Sequence, residues 1–276
     1  MVRLIVKKFG KVDNVLTGKV IEIVDECYHR LQPHSVSLVE LYIYEKWFTM
    51  TALISDEEKQ LGITTSPLSE LFFATHDAWY GIPRIRVGLD KLAEQSELIV
   101  SGVIRHEVAH TVLHGSLEYF IFPTPRSLQT IGKELNIPEN TLRDAVYLIA
   151  IAAKDYEVTR LLHRKGYLDD LVECNKYFLK PAEEDAGIWS IAHQNPSAKL
   201  LAIASYFKEI CCAAPLLQDE KYGDEMTVAV KQCLIHLPTE ISDGILRTVL
   251  KGLASFTEET HKNVELLAEC LINCLR

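Results

Sequence analysis

The chain has 276 residues, 48% of them apolar and 24% charged, and a formal net charge of −9. That balance belongs to a globular protein with a well-buried core, built as one large domain or two small ones. The acidic excess argues against a nucleic-acid backbone or an anionic membrane surface as the main partner.

The opening stretch, MVRLIVKKFGKVDN, carries too short an apolar run for a signal peptide. The most apolar segment, AVYLIAIAA (145–153), falls short of the roughly 20 residues of a membrane span. There are seven cysteines, an odd count with no C-x-x-C pair. They predict neither a zinc knuckle nor a redox motif and suit a reducing compartment, so a soluble, cytoplasmic protein is expected.

In chain order, RLIVKKF reads as a strand and residues 14–31 have helical spacing. The β-branched and aromatic run 35–54 reads as one or two strands. LFFATHDAWY (71–80) and PRIRVGL (83–89) follow as two short strands, with Gly81 and Pro83 at the turn between them. Ser96 is an N-cap for a helix that runs to His114, with Gly115 as its stop. From Pro138 onward the pattern is helical: a long helix over 139–165 ends in basic residues and Gly166. Further helices are expected near 197–213, 225–236, 240–254 and 257–274. The fold class is therefore α+β, a mixed N-terminal half with a small sheet followed by an all-helical half.

Chemistry concentrates in SGVIRHEVAHTVLHGS, residues 101–116. On a helix, His106 and His110 project from one face one turn apart, so both ring nitrogens can reach one Zn²⁺ at about 2.0–2.1 Å. Glu107 is rotated by about 100° and can approach a water on the metal without being a ligand. His114 lies about 12 Å along the axis from His106 at a rise of 1.5 Å per residue, too far to share the ion on a straight helix. It is expected to be a C-terminal residue beside the free carbonyls, with metal content indifferent to its removal. The pattern that recruits a later histidine breaks its helix with glycine. Here Val112 stands at the glycine position and Ser116 at the last histidine position, which excludes that class.

A third ligand must come from downstream. In AVYLIAIAAKDYEVTRLLHRKG, Val146, Ala150, Ala153 and Glu157 continue one buried stripe, and a carboxylate on such a stripe needs a positive partner. Zn²⁺ would supply one; an ion pair with Arg160, Arg164 or Arg105 is the alternative. Asp155 and His163 point elsewhere on this helix and are weaker candidates.

These segments resemble the gluzincins, zinc peptidases with two helix histidines and a later glutamate ligand. The closest likeness is to the heat-shock and prenyl-protein membrane peptidases and their small soluble relatives, the minigluzincins. VGLDKLAEQSELIVSGVIRHEVAH (87–110) is similar to the family's strand, short helix and metal helix in series. DYEVTR (155–160) looks like its E-x-E-A-D-R segment, whose second glutamate falls on Glu157; Thr159 departs from the family's aspartate. The resemblance implies a zincin-like domain over 1–166, a helical region over 167–276 packed on it, and a metal site of His106, His110 and Glu157. It also implies a zinc metallopeptidase with Glu107 as general base and a peptide or protein substrate. An edge strand within 71–80 would pair with that substrate, with Phe72, Phe73, Trp79 and Tyr80 beside it. Tyr167, His163 and Arg160 are the oxyanion donors on offer, and spacing does not choose among them. The competing readings are a catalytically silent zincin-like binder and a metal-free helical interaction protein.

Overall fold

β1 (Arg3–Phe9) opens a βαβ unit: α1 (Asn14–Arg30) carries the chain back so that β2 (Leu38–Tyr44) lies parallel to β1. A parallel pair requires such a crossover. The structure, a computed structural model, describes residues 2–62, 72–181 and 185–275. Within these the chain forms two compact units, Met1–Phe120 with Leu161–Cys174, and Ile121–Arg160 with Asn175–Arg276. The chain passes between the units after Phe120, Arg160 and Cys174.

In the first unit, α2 (Trp47–Leu61) follows β2, and β3 (Ala74–Asp77) and β4 (Arg84–Gly88) form an antiparallel hairpin. The sheet order is β1-β2-β4-β3, with β4 parallel to β2 and β3 at the edge. The second half of the strand expected over 35–54 is corrected to the start of α2. Lys46 takes the N-cap position, the Trp47 amide donates to Asp90 Oδ1 at 2.7 Å, and Met50 and Ile54 turn inward onto Tyr42 and Tyr44. Aromatic and β-branched composition had favoured a strand there, and helical periodicity into Asp56–Gln60 prevails. The strand expected over 71–80 narrows to β3; Leu71 lies outside the described residues.

Alternation along β3 and β4 sorts their polar side chains onto opposite faces. Asp77 pairs in register with Arg84, and His76 with Ile85. On the face towards α2, buried Arg84 and Arg86 both bond Asp77, through Nε at 2.7 and 3.0 Å, and both reach Glu57 Oε2, at 2.9 and 2.5 Å. Burial alone would push these guanidiniums towards deprotonation; the Asp77 and Glu57 charges more than reverse that and hold both pKa values above the usual arginine value. Removing one partner of a buried ion cluster leaves charge uncompensated. Asp77→Ala is therefore expected to cost about 3–5 kcal/mol, read as a lower urea midpoint.

After β4 come the short α3 (Leu89–Leu92) and then α4 (Glu97–Leu113), capped by Ser96 as expected. A Cβ at Gly102 would run into the Asp170 carbonyl and Cys174 Cβ, so this glycine admits the start of α7 (Asp169–Phe178) against α4. Arg105 secures the same approach, donating to Asp170 Oδ2 at 2.6 Å.

The second unit is helical: α5 (Arg126–Glu134), α6 (Glu139–Arg164), α8 (Asp185–Ala192), α9 (Pro196–Ala213), α10 (Gly223–Cys233), α11 (Thr239–Leu253) and α12 (Thr260–Leu275). α9 is its centre, capped by Asn195 with Pro196 at the first turn, and buries Leu200, Ile203, Phe207 and Ile210. α6 is continuous, with residues to Arg160 in this unit and Leu161–Arg164 in the other. The α+β class, the small mixed sheet and the helical C-terminal half all stand as read from the sequence. Among the described residues no helix is long and apolar enough to cross a membrane.

Candidate metal centre

α4 presents its histidines as the four-residue spacing requires. His106 Nε2 and His110 Nε2 face each other at 2.9 Å, with the ring planes at 73°. Ligands on a tetrahedral zinc at about 2.0–2.1 Å stand a little further apart than this, so two such nitrogens need only a small adjustment to share one ion. Among the described residues of α4, His106 Nε2 and His110 Nε2 form a group of two possible ligands with the spacing to share one ion.

Glu157 lies on α6. Its Oε1 accepts from Asn263 Nδ2 at 2.6 Å and its Oε2 from Thr260 Oγ1 at 2.8 Å, both on α12 and all three residues buried. The stripe of Val146, Ala150, Ala153 and Glu157 is indeed buried, and the partners of its carboxylate include this amide and this hydroxyl. Two residues along a helix is a rotation of about 200°. Asp155 and Glu157 therefore address opposite directions. Of the arginines offered as alternative partners, Arg105 pairs with Asp170 and Glu26, and Arg160 with Glu258. Asp155 lies near a positive charge: together with Glu209 it offsets the effect of burial on the Lys208 ammonium and raises its pKa.

His114 is the C-terminal cap of α4, as expected, and it also joins the histidine cluster. It is fully buried, and its Nδ1 lies 3.1 Å from His110 Nδ1, with the Tyr119 ring edge-on at 5.2 Å. It stands behind His110, on the side away from His106. If His110 ligates through Nε2, its Nδ1 carries the proton and donates to His114, which fixes the tautomer and orientation of the ring. Gly115 ends the helix there, because a Cβ would collide with the Thr111 carbonyl oxygen. His114→Ala is now expected to weaken zinc binding roughly 10- to 100-fold without abolishing it, measured by competition with a chelator.

Glu107 is buried, and its Oε2 lies 2.8 Å from His76 Nδ1. His76 was not anticipated. Its ring stacks on His110 at 4.0 Å and 13°, so the edge strand supplies a third imidazole to the site. The aromatic residues flanking it do not all line a surface: Phe73 is buried, Trp79 packs on the Tyr42–Tyr44 cluster, and Tyr80 is exposed beside the Arg84 guanidinium. Of the oxyanion donors considered, Tyr167 gives its hydroxyl to Glu26 at 2.8 Å. All seven cysteines are free thiols. Burial pushes the Cys27 thiol up to about 12 and also raises Cys211 and Cys212, so these three stay protonated and serve poorly as ligands or nucleophiles. A cavity of about 540 Å³ beside the C-terminal end of α4 is lined by Ser37, Thr111, Ser116 and Tyr119 but not by His106, Glu107 or His110. It is separate from the histidine site.

Comparison with protein-family models, with curated proteins and with solved structures finds no match to this chain.

Proposed function

We propose that the protein is a zinc-dependent metallopeptidase in which His106 and His110 hold the ion and Glu107 is the general base. The observation that carries this reading is the pair of α4 imidazoles converging through Nε2 at 2.9 Å with the Glu107 carboxylate on the next residue. Two imidazoles belong to the donor set of a catalytic zinc, which keeps its fourth position open. Zn²⁺ bound there would polarise a substrate carbonyl and lower the pKa of a water towards about 7. Glu107 would receive the proton that this water loses and return it to the leaving amine. His110, backed by His114, and His106 would keep their Nε2 lone pairs aimed at one point.

The likeness to the gluzincin group rests on residues 87–110 and on the series β4, α3, α4 that they form. β3, the sheet edge nearest the site in sequence order and packed on α4, is the strand on which an extended peptide would add by backbone pairing. The test is hydrolysis of a mixed peptide library by zinc-loaded protein, with chelation and re-addition of zinc. Cleavage that disappears with the chelator and returns with zinc supports the reading; cleavage indifferent to zinc overturns it.

A further inference from the structure

We infer that His76 is a positioning residue for Glu107, placed by the edge strand to fix which oxygen of that carboxylate is free to take a proton. The inference rests on the peptidase reading for its purpose, though not for its geometry. A carboxylate can only accept, so the 2.8 Å contact makes His76 Nδ1 the donor and Glu107 Oε2 the acceptor. That leaves Oε1 as the oxygen available for proton transfer. The contact is sheltered, with only 12% of the His76 side chain and 9% of the Glu107 side chain exposed. A charge-assisted hydrogen bond so shielded holds a side chain more firmly than one in water.

The strand determines that the ring arrives here. His76 and Asp77 are adjacent on β3, so their side chains leave on opposite faces of the sheet. Asp77 is bound by Arg84 and Arg86 on the α2 side, and that anchorage sends His76 to the α4 side. There the ring is clamped flat against His110 at 4.0 Å and flanked by Phe120 at 6.0 Å. Its Nε2 is buried without a hydrogen-bond partner among the described residues. The bond to Glu107 is thus the polar contact that orients this imidazole. Glutamate has three side-chain torsions, and a base that samples several rotamers presents its free oxygen only part of the time. His76 removes that freedom.

The experiment compares the full-length wild type with His76→Ala and His76→Asn, whose amide N–H can donate from near the Nδ1 position. Zinc content, kcat and KM on the peptide library, and ¹⁵N imidazole spectra are read for each. Support consists of unchanged zinc in His76→Ala, a kcat lowered roughly 10- to 100-fold with KM little altered, and recovery of most of that loss in His76→Asn. An unchanged kcat in His76→Ala overturns the inference, as does an asparagine variant no better than the alanine one. Loss of zinc in His76→Ala also overturns it, and makes His76 a ligand instead. If zinc-loaded wild type cleaves nothing, the peptidase reading fails and the spectra still decide the positioning. A protonated Nδ1 on His76 that changes in Glu107→Ala supports it; an Nε2-protonated tautomer in the wild type overturns it.

Discussion

His106→Ala is expected to lose the zinc, from about one ion per chain in the wild type to near none, while Glu157→Ala keeps it. Removing one of the two α4 imidazoles takes away a protein donor that water must replace. Glu157→Ala fails in a different way. Asn263, fully buried, loses the acceptor at 2.6 Å and Thr260 the one at 2.8 Å, so α12 loses two bonds to α6. Each buried donor left unsatisfied costs about 1–3 kcal/mol, which appears as a lower urea midpoint at unchanged zinc content. Metal analysis and denaturation of the same two variants therefore separate ligation from packing. Zinc lost in Glu157→Ala as well as in His106→Ala would make the glutamate a ligand.

The four-residue spacing in α4 was enough to place His106 and His110 together, because residues one turn apart share a face on any helix, however much of it is buried. α6 was not legible in the same way. Ile149, Ala150, Ala152, Ala153, Lys154, Glu157, Val158 and Thr159 are all buried, and those positions fan over most of the circumference at about 100° per residue. A helix buried nearly all round has no single stripe, so the pattern could show that Glu157 is inside but not what it meets. The partners, Thr260 and Asn263, lie about a hundred residues downstream, at separations of 103 and 106. No local rule connects them. His76 escaped notice because a strand read as apolar and aromatic drew attention to Phe72, Phe73, Trp79 and Tyr80. The signal was present in Thr75-His76-Asp77, two ionisable residues side by side in a short strand, one for each face. Composition likewise misread Trp47–Ile54. Its strand-favouring residues sit where Met50 and Ile54, one helical turn apart, have Tyr42 and Tyr44 to cover. Tertiary burial overrode propensity there.

Glu107→Gln decides whether the site turns over or only binds. Glutamine has the size of glutamate and is not asked to hold the ion, so zinc content and the urea midpoint are expected to stay close to wild type. The proton acceptor is lost. General-base removal typically lowers the rate by about 10²–10⁴-fold, and the loss is expected in kcat with the peptide library at matched zinc. The His76 bond sharpens the expectation. Glutamine can still accept from Nδ1 through its amide oxygen, and its NH₂ then occupies the place of the free Oε1, a donor where an acceptor was. The substitution thus preserves the orientation of the side chain while inverting the chemistry of the one atom that acts. Glu107→Ala removes both, and should match Glu107→Gln in rate while releasing the His76 ring. Equal cleavage by wild type and Glu107→Gln would place the activity outside this site and leave the His106 and His110 pair as a binding centre.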